Sequence, residues 1–197
     1  MTSAALATWR GERSALLDQL IGAHAAIGGT AAGRRWATAE LNRALLLRLA
    51  AQFQGFAKDL HAETAITFGA LARPADATIA SAISVGLQTK RDLDRANAQP
   101  DSLASDFGRF GLVLWTETDA LDARTPARRT HLKWFNAARN ALAHDDPKKL
   151  AIVLAEGYKI DLAWIRRWRS ALNGLAGTID KALAVHLSRL FNVPEPW

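Results

Sequence analysis

Apolar residues return every three or four positions along nearly the whole chain, the period of amphipathic helices packed on a common core. The spacing predicts a first helix from about Ala4 to Ile27, with Leu16, Leu20 and His24 in steps of four and Gly28-Gly29 as its end. A long second helix is expected from Gly33 to Gly69 along the stripe Leu41, Leu45, Leu49, Phe53, Phe56 and Leu60. Arg73-Pro74 interrupts the period, Ala75 to Asn97 reads as a third helix, and Gln99-Pro100-Asp101 reads as a turn. Leu103 to Arg124 is the least regular stretch. It holds Gly108, Gly111 and the β-prone run Leu112-Val113-Leu114-Trp115, and reads as a short helix and a loop. Thr125 then looks like an N-cap with Pro126 behind it, opening a helix that turns Phe135, Ala138 and Leu142 inward and ends near Asp145. Asp146 is placed to cap a short helix from Pro147 to Gly157. Asp161 opens the last long helix, whose inner stripe is Ile165, Trp168, Leu172, Leu175, Ile179, Leu183 and Leu187. The fold class is therefore all-α, a helical bundle.

Composition narrows this picture. A length of 197 residues fits one domain, taken as residues 1–197, and 49% hydrophobic residues suffice for its core. No run of about 18 apolar residues offers a membrane span, and Met1-Thr2-Ser3-Ala4-Ala5 lacks the basic start and apolar run of a signal peptide. The absence of cysteine excludes disulfides and thiolate metal sites and suits a reducing cytoplasm, the expected location. The net charge of +6 favours a polyanionic partner, nucleic acid first among them.

Candidate chemistry concentrates in Arg139-Asn140-Ala141-Leu142-Ala143-His144, at the end of a helical segment and followed by Asp145, Asp146 and Pro147. A histidine can accept and return a proton near neutral pH. Arginine holds phosphate through paired hydrogen bonds. Asn140 lies four residues before His144 on one helix face, placed to orient substrate or ring. Metal-free RNA cleavage needs a base for the ribose 2′-hydroxyl and a cation beside the phosphate, and His144 and Arg139 supply these types. Arg139 stands five residues before His144, about 140° around the helix. One chain therefore does not aim both at one point unless the long arginine reaches round.

This hexapeptide, an Arg followed directly by a polar residue and then a His after four intervening positions, resembles the signature of the HEPN superfamily of all-helical ribonucleases and RNA-binding domains. The resemblance is best over Thr125 to Asn192. It is nearest to the branch called RiboL-PSP-HEPN, with a weaker match at Phe53-x-x-Phe56. It implies two long antiparallel helices with shorter ones beside them. It also implies a metal-independent endoribonuclease, a toxin or defence effector, whose catalytic residues are Arg139, Asn140 and His144. Its products would carry a 2′,3′-cyclic phosphate and a 5′-hydroxyl. The family implies a homodimer with the site shared across its two-fold axis, and an antitoxin protein as a further partner. A cyclic-phosphate mechanism wants both a base and an acid, and a two-fold axis supplies a second histidine. The other reading is a catalytically inactive HEPN-like module that binds RNA or a partner. One departure concerns regulation: nucleotidyltransferase-controlled HEPN toxins carry a Tyr two residues after the His, where this chain has Asp146. Control by modification at that position is therefore not expected.

Arg128-Arg129 and Lys148-Lys149 flank the hexapeptide and are expected to hold an RNA backbone. Trp164-Ile165-Arg166-Arg167-Trp168-Arg169 interleaves rings and cations, yet reads better as an amphipathic helix with Trp168 in the core. His61-Ala62-Glu63 lacks the cysteine pair of zinc deaminases, and Asp106-Phe107-Gly108 stands without the other kinase motifs. His24, His61, His131 and His186 are expected to be structural or surface residues. No cofactor motif or defined metal-ligand set is present, so neither is expected.

Overall fold

The computed structural model describes residues 1–28, 35–72 and 76–197. Helices follow one another as α1 (Ala4–Thr8), a π-helical turn (Trp9–Arg13), α2 (Ser14–Gly28), α3 (Arg35–Leu71), α4 (Ala77–Gln88), α5 (Asp92–Arg95), α6 (Pro100–Gly108), α7 (Leu114–Leu121), α8 (Thr125–Ala143), α9 (Pro147–Ala155) and α10 (Leu162–Phe191). There is no strand among the described residues. The breaks expected at Gly28-Gly29 and Arg73-Pro74, and the starts at Gly33 and Ala75, lie wholly or partly outside the described residues.

The core forms where α3, α8 and α10 meet. Leu45, Leu49, Phe53, Phe56 and Leu60 of α3 are buried, and Leu41 is half-buried, on the expected stripe. Every residue of the stripe expected on α10 is buried, and Trp168 packs at a tilt of 58° against Phe135 of α8. Phe68 and Phe191 touch at the far ends of α3 and α10, while Trp9 bridges Phe53 and Phe56 to Asn173. The two longest helices therefore run in the same direction, against the antiparallel pair that the resemblance implies. Their antiparallel neighbour is α8, whose Phe135 meets Trp168 and whose earlier Arg128 lies on the later Gly174.

The elements depart from the sequence reading at five places. The π-helical turn in the first helix rotates the residues beyond it, so Leu17, Ile21 and His24 face the core, while Leu16 and Leu20 are 40% exposed. The third helix stops at Gln88, because Lys90 adopts a left-handed φ of 54°, and the chain restarts as α5. Pro100 stands in the first turn of α6, not in a turn between elements, and Leu114-Trp115 open α7, so the β-prone run forms no strand. Thr125 does not cap α8. Its hydroxyl donates inward to the carbonyl of Thr118 at 3.1 Å, and Arg124 takes the cap position. Asp146 and Asp161 cap α9 and α10 as expected, accepting from Lys148 N and Lys149 N and from Trp164 N.

Candidate functional site at the end of α8

The last turn of α8 explains how the hexapeptide is presented. Asp146 N donates to Ala141 O at 2.8 Å and Asp145 N to Leu142 O at 3.4 Å, the paired bonds of a Schellman ending. Asp145 sits in the left-handed region at φ 47°, and His144 is the C-cap. The helix thus closes one residue before His144 and leaves its imidazole exposed. The chain turns at once into α9 through the Asp146 cap and Pro147.

Asn140 is the hub of the polar groups. Its Oδ1 accepts from Asn97 Nδ2 at 2.6 Å and from an Arg139 guanidinium nitrogen at 3.1 Å. Arginine can only donate, so the amide oxygen must face it. The Asn140 NH₂ group is thereby left pointing away, toward solvent. Asn97 belongs to a segment pinned from both sides. On the α3 side, Gln54 donates to Leu93 O and Ala96 O and accepts from Ala98 N. On the α8 side, Asn136 donates to Ala98 O at 3.1 Å. Four amides, Gln54, Asn97, Asn136 and Asn140, therefore fix how α8 faces the segment after α5. The sequence reading missed Asn97, Gln54 and Asn136. The one available signal was the Asn136–Asn140 spacing of four on one helix.

Two cavities flank this bridge. One of about 410 Å³ lies toward α3, with Phe53, Phe135 and Ala98 as apolar wall and Lys58 and Arg139 as cations. The other, about 510 Å³, is lined by Gln99, Pro100, Asp101, Lys133, Asn136, Ala137 and Asn140. Arg139 lines the first and Asn140 the second, while His144 lies beyond both. Arg139 and His144 leave α8 about 140° apart by helical spacing, though the Arg139 guanidinium turns back as far as Asn140 Oδ1. Arg139 is half-buried and forms no ion pair among the described residues.

The flanking cations divide into two kinds. Lys148 and Lys149 are exposed beside His144 at the start of α9, with Lys149 Nζ 3.2 Å from Asp146. Arg128 and Arg129 stand at the opposite end of α8, about 22–24 Å from His144 by helical rise. Arg128 is mostly buried, bonded to Asp122 at 2.6 Å and laid against Gly174, where any side chain would collide with it. Its role is structural. Arg129 is a third exposed, 3.4 Å from Asp119, with its guanidinium over Trp115.

Other ionisable groups find structural work. The buried Asp106 carboxylate accepts from Asp92 N and Leu93 N at 2.9 and 2.8 Å, capping α5. His61 is fully buried, its Nε2 donating to Asp106 O at 3.2 Å and its Nδ1 without a partner. Burial, reinforced by the positive charge of Arg91, holds its pKa down to about 4. His131 is lowered for the same reason, with Arg167 adding to burial. No group of three His, Asp or Glu side chains that could hold a metal occurs among the described residues, and no described helix is long and apolar enough to cross a membrane.

Fold and site define an all-α bundle with an Arg-Asn-His helix end open to solvent. No family model, curated protein or solved structure matches the chain. The resemblance to HEPN proteins rests on the residues themselves.

Proposed function

We propose that the chain is a metal-independent endoribonuclease of the HEPN type, acting as a homodimer. The observation that carries this reading is the exposed His144 at the end of α8, one turn from the Asn140–Arg139 pair. Full burial and ion pairing, which would consume these groups in a purely structural role, are absent from them among the described residues. In the proposed reaction the ribose 2′-oxygen attacks the adjacent phosphorus and loses its proton to one His144. The 5′-oxygen leaves with a proton from the His144 of a second copy. Arg139 and the free amide hydrogens of Asn140 hold the phosphate oxygens as charge grows on them. The products carry a 2′,3′-cyclic phosphate and a 5′-hydroxyl. Lys148 and Lys149, beside the histidine, draw in the strand. A toxin or defence role with an antitoxin partner in the cytoplasm rests on the resemblance alone.

The divergence of Arg139 and His144 within one chain favours a second reading, an inactive module that binds RNA or a partner protein. Cleavage of RNA in EDTA separates the two. The first reading expects cleavage by the unmodified protein and at least about a hundredfold loss in His144→Ala, the scale of a removed general acid–base group. No cleavage of any RNA, or equal cleavage by both proteins, contradicts it.

A further inference from the structure

Arg129, Lys133, Ala137, Asn140 and His144 succeed one another along α8 at steps of four, four, three and four. That spacing places them on one helix face, the face turned away from Leu132, Phe135 and Ala138 in the core. Lys133 and His144 are exposed, and Arg129, Ala137 and Asn140 are half-buried. The stripe spans about 22 Å from Arg129 to His144.

Its chemistry is specific. Lys133 forms no ion pair among the described residues, and its Nζ stands 5.4 Å from the ring centre of Trp134. Arg129 lies 5.1 Å over Trp115, whose indole nitrogen donates to Pro100 O at 3.2 Å. Each cation thus rests on an indole. Lys133 and Asn140 both line the 510 Å³ cavity, whose lining also includes Pro100, Ala137 and Asp101. The Asn140 amide hydrogens point away from the Asn97–Arg139 side, where its oxygen is engaged.

We propose that this face of α8 is the track of a single-stranded RNA that enters over Trp115, passes Lys133 and reaches Asn140 and His144. The inference rests on RNA being the ligand of the site. Cations in single file fit one phosphate backbone. The Trp115 indole, bonded to Pro100, and the Pro100 and Ala137 part of the cavity wall suit unpaired bases that stack. A duplex hides its bases and presents two backbones, so it uses neither feature.

The test is binding of a short fluorescent single-stranded oligoribonucleotide in EDTA, measured by anisotropy on a His144→Ala background so that the probe survives. Added substitutions are Lys133→Glu, Ala137→Glu and, as a control of equal charge change on α10, Lys181→Glu, whose side chain is exposed. Ala137→Glu tests the track without removing any contact of Lys133, and circular dichroism checks that each variant folds. Lys133→Glu and Ala137→Glu are expected to bind about tenfold more weakly than the Lys181→Glu control, and Lys133→Glu to lower the salt slope by about one. The same sequence as a duplex should compete poorly. Binding by both α8 variants equal to the control, or equal competition by duplex, overturns the track. If the unmodified protein cleaves RNA while the α8 variants bind as the control does, the track fails and the ribonuclease reading stands. If it cleaves nothing while the α8 variants lose binding, the track stands and the ribonuclease reading fails.

Discussion

Asp145 shows how one backbone angle shapes the site. Its φ of 47° closes the Schellman turn that exposes His144, and a residue with a Cβ is strained there. Asp145→Gly is expected to stabilise the chain by about 0.5–1 kcal/mol in urea unfolding, with the Asp146 cap retained. A residue-level pH dependence comes from His61. Its pKa is held near 4 in the fold against 6.5 for the free side chain, so below 6.5 the unfolded chain takes a proton that the folded one refuses. Stability is full above pH 6.5, falls as pH drops toward 4, and levels below that. The loss between pH 7.5 and 5 is expected to be about 2 kcal/mol, before the carboxylates titrate. His61→Gln, measured by urea midpoints at the two pH values, should remove most of that loss; an unchanged loss would assign it to other groups. Neither feature was legible from composition. An aspartate in a left-handed cap looks like any Asp-Asp-Pro turn, and the buried residues one turn from His61 are Ala57, Thr64 and Ala65, which make a weak apolar stripe.

Element by element, the α10 stripe and the α3 stripe were legible because long uninterrupted helices keep one phase. The first helix was misread because a π-helical turn carries no apolar signature and shifts the phase by about 100°. The break at Lys90 was hidden because no Gly or Pro marks it. The hexapeptide and the α9 cap were legible, since Asp146-Pro147 is strong punctuation. The amide bridge was not, because Asn97 meets Asn140 across 43 positions of sequence. Arg128 and Arg129 look alike in sequence, yet only the first finds a glycine to lie on. Close packing of α3 against α4 gives a prediction at this scale. A Cβ at Gly69 would stand 2.6 Å from the carbonyl oxygen of Ala80. Alanine there would ordinarily favour the helix by up to about 1 kcal/mol, but the backbone contact forces α3 and α4 apart. Gly69→Ala is expected to destabilise by about 1–3 kcal/mol in thermal or urea unfolding. A stabilised variant would mean that the two helices separate freely.

At the scale of the whole molecule, one chain presents a histidine on one side of α8 and an arginine on another, with the Asn97–Asn140 bridge between them. The proposed dimer resolves this by completing each site with groups from two copies. Sedimentation is expected to show a dimer at micromolar concentration, and a monomer at every concentration would count against it. The most direct test mixes unmodified protein with His144→Ala. The two are unfolded, combined at one part to three and refolded together, and RNA cleavage in EDTA is compared with the same amount of unmodified protein refolded alone. A dimer holding one His144→Ala copy lacks either the base or the acid, so only dimers of two unmodified copies cleave. Random pairing leaves about a quarter of the unmodified chains in such dimers. The account predicts that cleavage falls to about a quarter of the rate of the unmodified protein refolded alone. Cleavage undiminished by the His144→Ala chains, from an unmodified protein that regains cleavage on refolding, would contradict a site shared between two copies.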